Sequence, residues 1–72
     1  MELVREALDA MESLAREGMT MVVVSRELRF AHRVASSVLM MDHGRIVEEA
    51  SPHEFFSSPT EERTQRFLSL VA

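Results

Sequence analysis

The spacing of apolar residues changes from helical to strand-like within the first third of the chain. Apolar residues recur every three or four positions from Glu2 to Glu17, which predicts a helix, and Gly18 suits the position that ends it. Residues 19–24 form an almost unbroken apolar run, typical of a strand buried on both faces of a parallel sheet. Such a strand needs neighbours on both edges, and the rest of the chain offers few.

A β-hairpin is predicted in the middle of the chain. Residues 37–42 and 45–49 each predict a strand, and the Asp-His-Gly sequence at their junction is a turn signal. Gly44 accepts a positive φ freely. His43 would adopt a positive φ only at a cost of about 1–2 kcal/mol.

Three serines are predicted as helix N-caps. Ser25 precedes a predicted helix over 26–35, because its hydroxyl can accept from the first free amides. Ser51 and Ser58 are each followed by proline and then by glutamate at the third position, which is a capping box. The last helix runs to about Leu70. The predicted order is α-β-α-β-β-α-α, an α/β fold with a buried strand, a β-hairpin and C-terminal helices.

Composition limits the stability and the partners of the chain. Its 72 residues contain no cysteine and allow one small domain, which buries only about 60% of its unfolded surface. We therefore expect a partner chain, a second copy or further sequence to support the fold. The net charge of −4 argues against a nucleic-acid partner. No apolar run approaches the roughly 20 residues of a membrane span, and the N-terminus has no secretory pattern, so we expect a cytoplasmic protein.

Several polar residues have a structural explanation beside a chemical one. Three widely spaced histidines without cysteine favour surface residues over a metal site: His32, His43 and His53. Ser25 is explained by helix capping rather than as a nucleophile. The pairs Glu48-Glu49 and Glu61-Glu62 are predicted to be solvated, since the first alternates faces on a strand and the second lies in the first turn of a helix.

Methionine and phenylalanine supply much of the predicted interior. The strand methionines are expected to fill buried positions: Met19, Met21, Met40 and Met41. Two readings stay open for the phenylalanines of the C-terminal third, either core or an exposed patch that binds a partner: Phe55, Phe56 and Phe67.

Five consecutive stretches resemble the ATP-binding subunits of ABC transporters, in one register and without gaps. They are GMTMVVVS at 18–25, similar to the strand before the switch histidine; FAHRVA at 30–35; VLMMDHGRIVEE at 38–49; PHEFFSSP at 52–59; and EERTQRFL at 61–68, similar to the ending of polar amino-acid importers. Arg29, His43 and Ala50 depart from glycines that are common in the family.

The resemblance implies that residues 1–72 are a single partial domain, the part of an ABC ATPase (P-loop NTPase-like) fold that follows the D-loop. It implies ATP and magnesium as cofactors of the parent family. Its partners would be the N-terminal part of the ATPase or an intact subunit, and the membrane subunits of the transporter. The assembled protein would lie at the inner membrane, on its cytoplasmic side.

The family's catalytic residues are missing from this sequence. The chain has two distant glycines and no lysine, so no phosphate-binding loop can be formed. The switch-histidine position falls on Arg26, which can bind phosphate oxygens but cannot share a proton near neutral pH. We predict a C-terminal fragment of an amino-acid ABC transporter ATP-binding protein, without cofactor or ATPase activity alone. The alternative is a small module that binds itself or an intact subunit through an open sheet edge.

Overall fold

The computed structural model describes residues 2–71, so Met1 and Ala72, the ends of the predicted domain, lie outside the described residues. The elements in chain order are α1 (Glu2–Arg16), α2 (Leu28–Val34), β1 (Val38–Asp42), β2 (Arg45–Ala50), α3 (Pro52–Ser57) and α4 (Glu62–Val71). The described part is therefore mixed α/β, with helices around one antiparallel hairpin. This confirms the predicted class and the hairpin.

Helix α1 ends as predicted, at a glycine with a positive φ. Gly18 has φ +93°, and its amide donates to the carbonyl of Ala15 at 3.0 Å. The amide of Met19 donates to the carbonyl of Leu14 at 3.1 Å. These two bonds form a Schellman motif, which satisfies carbonyls that the helix itself leaves free.

The predicted strand over residues 19–24 is absent from the described residues, so this prediction is wrong for the chain as it stands. Val22 is 90% exposed and Val24 is 98% exposed. A strand is stable only when its amides and carbonyls pair with a neighbour, and the two strands of the described sheet pair with each other. The apolar run therefore lacks the sheet that its sequence suits.

Helix α2 begins later than predicted, which corrects the assignment of Ser25. Its N-cap is Glu27, and its first residue is Leu28 rather than Arg26. The hydroxyl of Ser25 instead accepts a hydrogen bond from the amide of Glu27 at 2.9 Å. Serine makes such local bonds in turns as readily as at helix starts, and here the turn forms.

The hairpin has the predicted two-residue turn. Asp42 pairs with Arg45, and the turn residues His43 and Gly44 have φ values of 52° and 74°. Positive φ at both positions is the type I′ geometry that matches strand twist. A bulge lies between Met40 and Met41.

Only part of the predicted methionine interior forms. Met40 is 8% exposed, whereas Met41 is 57% and Met19 is 53% exposed, so the prediction is wrong for the last two. Met40 points to the core face of the hairpin. The other face is open to solvent and carries the exposed residues Leu39, Met41 and Ile46.

Replacing His43 by glycine should stabilise the chain. Glycine adopts positive φ without the Cβ clash, so we expect His43→Gly to raise the free energy of unfolding by about 0.5–1 kcal/mol. Urea unfolding followed by circular dichroism measures this. His43→Ala, which keeps the Cβ, should give no such gain; an equal gain would show that the backbone strain is not the cause.

The first of the two predicted capping boxes supplies its serine N-cap, and the second does not. The hydroxyl of Ser51 accepts from the amide of Glu54 at 3.3 Å and donates to its carboxylate at 3.1 Å, at the start of α3. Ser58 is instead the C-cap of α3, with its amide donating to the carbonyl of Glu54. Helix α4 begins at Glu62, three residues after the predicted proline start.

The core joins the hairpin to α3 and α4. Its buried members are Met40, Phe55 and Leu68, with the half-buried Phe56 and Phe67 against them. This resolves the open reading for the phenylalanines toward core packing. The chain nevertheless exposes 5910 Å², whereas a compact monomer of this size exposes about 4,500 Å². Much apolar surface is therefore uncovered, chiefly on 19–24, on α1 and on the outer face of the hairpin.

Candidate functional site around Arg26

Arg26 lies in the irregular segment between α1 and α2. Its side chain is exposed, as are those of Ser25 and Glu27 beside it. The bond from the Glu27 amide to the Ser25 hydroxyl shapes the backbone at Arg26 into a local turn. The structure thus presents the guanidinium at the surface, at the point where the apolar run ends and α2 is about to begin.

Ion pairs on the surface hold α1 and α2 together on either side of this segment. Arg33 donates through Nε and Nη2 to one oxygen of Glu12, at 3.1 and 2.9 Å, and Arg16 donates to the other oxygen at 2.7 Å. The hydrogen bond from Arg33 is the main cause that lowers the pKa of the Glu12 carboxyl. The two helices are therefore fixed relative to each other while the segment between them is irregular.

A shallow cleft of about 350 Å³ separates the two helices, and its charges are mixed. Arg5, Arg29 and Arg33 line it together with Asp9 and Glu27. Because acidic groups lie among the guanidinium groups, the cleft has no uniformly cationic surface of the kind that binds phosphates.

The residues of this chain do not fit a nucleotide site. Gly18 lies in the turn that ends α1, and Gly44 lies in the turn between the hairpin strands. Neither precedes the first turn of a helix. A phosphate cradle needs several backbone amides directed at one point from a glycine-rich loop. The family resemblance supplies one candidate phosphate contact, Arg26. Within residues 2–71, no glycine-rich loop lies beside it.

The three histidines lie on the surface, as predicted. His32, His43 and His53 are all exposed. Between Glu2 and Val71, the structure has no group of three or more histidine, cysteine, aspartate or glutamate side chains placed to hold a metal ion.

Glu48 is the residue whose environment sequence reasoning missed. It is 8% exposed, so the prediction that it is solvated is wrong. One carboxylate oxygen accepts from the amide and the hydroxyl of Thr60, at 2.9 and 3.2 Å, and the other accepts from the amide of Glu61 at 3.1 Å. The sequence did contain a signal for this burial. Successive residues of a strand point to opposite faces, so one of Glu48 and Glu49 has to point inward. Glu48 pairs with the buried Met40 and is the one that does.

These contacts lower the pKa of Glu48. The amide of Thr60 is the largest cause, helped by the nearby Thr64 and by Glu61, while burial acts in the opposite direction. The hydroxyl of Thr64 is fully buried without a partner at hydrogen-bonding distance among the described residues. The carboxylate therefore stays ionised at neutral pH, at the start of a helix where negative charge is favourable.

A second ion pair joins the hairpin turn to α4. Arg63 donates through Nε to Asp42 at 2.9 Å, and this bond is the main cause that lowers the pKa of the Asp42 carboxyl. His43 lies 3.1 Å from the other oxygen of Asp42. Glu61 and Glu62 are exposed at the start of α4, as predicted.

Comparison with known proteins gives a consistent result over nearly the whole chain. No protein-family model matches it. It is 57% identical over 70 residues, or 97% of its length, to a glutamine transport ATP-binding protein of Geobacillus stearothermophilus. Over the same share it is 54% identical to an uncharacterized amino-acid ABC transporter ATP-binding protein of Escherichia coli and 53% identical to an L-cystine import ATP-binding protein of Bacillus subtilis.

The chain is therefore similar to the ATP-binding proteins of ABC transporters. The relatives are of the amino-acid type, so the resemblance stated from the sequence is confirmed. The chain spans only 28–29% of the length of these three relatives. Within residues 2–71, the helices are too short and too polar to cross a membrane.

Proposed function

We propose that this chain acts as the C-terminal portion of the ATP-binding subunit of an amino-acid ABC transporter. The observation that carries the proposal is the 57% identity to a glutamine transport ATP-binding protein over 97% of the chain. Identity at this level over nearly the whole chain supports the same fold position and the same parent activity. That activity is ATP hydrolysis coupled to the import of an amino acid.

Residues 19–24 would serve this portion as a strand within the sheet of the remaining subunit. Their apolar sequence suits a strand with a neighbour on each edge, and Val22 and Val24 are almost fully exposed without one. Burying a valine side chain stabilises a fold by about 1.5–3 kcal/mol. Docking to the remaining subunit would therefore complete the α-β-α-β-β-α-α order of a partial ABC ATPase over residues 1–72.

The remaining subunit would hold ATP and magnesium, since this chain has no residues for that purpose apart from Arg26. In the switch position, the guanidinium of Arg26 would contact phosphate oxygens as a fixed cation. It would not exchange a proton near neutral pH. We therefore propose that nucleotide binding survives in the assembled subunit while hydrolysis is slow, and that the chain alone has no ATPase activity.

The assembled subunit would bind the membrane subunits of the transporter on the cytoplasmic side of the inner membrane. The relatives' names as transport proteins support this placement. They do not favour the alternative of an independent interaction module, and under this proposal the remaining subunit would cover the exposed apolar surface.

A hybrid subunit tests the proposal. Residues 1–72 would replace the matching segment of the Geobacillus stearothermophilus glutamine transport ATP-binding protein. We expect the hybrid to unfold cooperatively in urea and to bind a fluorescent ATP analogue with magnesium. The same relative cut off before the segment should do neither. A hybrid that aggregates or binds no nucleotide, beside an intact parent that binds it, would refute the proposed role.

A further inference from the structure

Helix α4 is capped through the two residues that precede it, by a side chain from a distant strand. Helix starts are usually capped by a residue directly before them, and Ser58 does not fill that role here. The donors at the start of α4 are the amide and hydroxyl of Thr60 and the amide of Glu61. All three donate to Glu48 of β2, 12 or 13 residues earlier in the chain.

The cap depends on a negative charge. A carboxylate has acceptor sites on both oxygens and satisfies all three donors, whereas an amide side chain would turn its own N–H groups toward them. Charge also strengthens each bond and favours the helix dipole. Glu48 is buried, so water does not readily replace it.

Within residues 2–71, α4 is joined to the hairpin by one further polar side-chain contact, an ion pair. Arg63 bonds to Asp42 at the hairpin turn, and Leu68 lies in the core. Residues 58–61 connect α4 to α3, and the carbonyl of Pro59 accepts from the side chain of Gln65 at 2.9 Å. The hairpin is thus the surface on which α4 packs, and Glu48 holds the two residues that lead into the helix.

We infer that α4 is a strap latched to the hairpin by the Glu48 carboxylate, and that it opens as a unit when this cap is lost. Opening separates Leu68 from Met40 and Phe55 and uncovers the core face of the hairpin. The hairpin and the α1–α2 pair keep their own bonds, since neither uses α4 for its backbone pairing or for the Glu12 ion pairs.

Acidification should also open α4, because it protonates the Glu48 carboxylate. The pKa of Glu48 is lower in the folded chain than its ordinary value of 4.5, so the latch is fully formed above that value. It is lost as the pH falls through the folded pKa. The other charged or titratable groups on the elements around the cap are Glu61 just before α4, Glu62, Arg63 and Arg66 on α4, Asp42 on β1, Arg45 and Glu49 on β2, and His53 and Glu54 on α3. Because Asp42 also titrates in this range, substitution at neutral pH isolates Glu48.

Amide hydrogen exchange on the full chain at pH 7 tests the latch. We expect Glu48→Gln to lower the protection of the α4 amides by about 10-fold or more, with the β1 and β2 amides changed by less than about 3-fold. Glu49→Gln makes the same charge change on the exposed face of the strand and should leave α4 as it is. Thr60→Ala removes one of the three donors and should give a smaller loss, confined to α4.

Three outcomes would overturn the inference. One is unchanged α4 protection in Glu48→Gln. Another is an equal loss in the hairpin and α4 in both Glu48→Gln and Thr60→Ala, which would make Glu48 a residue of general stability. The third is an α4 without protection in the unmodified chain, which would mean that no latch exists.

Discussion

Arg26→His should raise the rate of ATP hydrolysis by the hybrid subunit about 100-fold or more, with little change in its affinity for ATP. A guanidinium binds phosphate oxygens but stays protonated, whereas an imidazole can give or take a proton near neutral pH. General acid–base groups contribute about 10²–10⁴ to catalytic rates. Steady-state hydrolysis with magnesium-ATP, measured as kcat and KM, checks this.

Arg29→His is the matched control for this substitution. Arg29 is also exposed, lies three positions further on in α2, and lines the mixed-charge cleft instead of the turn. It should leave kcat unchanged. Equal rates in the hybrid with arginine and with histidine at position 26 would remove Arg26 from the proposed nucleotide site.

The paired substitution Val22→Ser with Val24→Ser should leave the stability of the isolated chain nearly unchanged and destabilise the hybrid. Both side chains are exposed in the isolated chain, so its free energy of unfolding should change by no more than about 0.5 kcal/mol. In the hybrid they should be buried within a sheet, and their loss should cost about 3 kcal/mol or more. Urea unfolding of the four proteins measures both effects.

Leu70→Ser controls for the simple loss of an exposed apolar side chain. Leu70 is 78% exposed and lies in α4, outside the segment proposed to join the sheet. Its substitution should change the isolated chain as little as the valine pair does. A hybrid that tolerates the valine pair without loss of stability would show that residues 19–24 remain on its surface.

Features that depend on neighbours in sequence were predictable. The Schellman end of α1 at Gly18, the type I′ turn at His43 and Gly44, and the cap of α3 at Ser51 each require only two to five consecutive residues of the right kind. In each case the local sequence leaves the backbone one favourable geometry. The structure confirms all three.

Two predictions failed because the deciding partner lies elsewhere. Ser58 carries the full signature of an N-cap, but the carboxylate of Glu48 reaches the start of α4 and satisfies the donors first. The run over 19–24 has the composition of a strand, but strand formation depends on a neighbouring backbone that residues 2–71 do not supply. In the second case the local preference conflicts with the present surroundings, and such a conflict marks a segment selected for a different environment.

The proposed role of Arg26 lies outside what geometry or composition could predict. An exposed arginine in a turn is common on protein surfaces, and nothing in its charge or position distinguishes it. Arg26 is a candidate because the sequence resemblance aligns it with the switch histidine of ABC transporter ATP-binding subunits. Relatives of that kind are 50–57% identical to this chain. The proposed role of Arg26 would therefore depend on groups that the remaining subunit contributes.

The separation in sequence between Glu48 and its donors also sets an order of folding. The hairpin closes through a two-residue turn, and such hairpins form within roughly 1–10 μs. We expect the cap of α4 to follow the hairpin, because the pairing of β2 with β1 places Glu48. During synthesis the hairpin also leaves the ribosome before α4 does. Helix α4 should thus be fixed after the hairpin that precedes it, and until then Met40 and Phe55 lack their contact with Leu68.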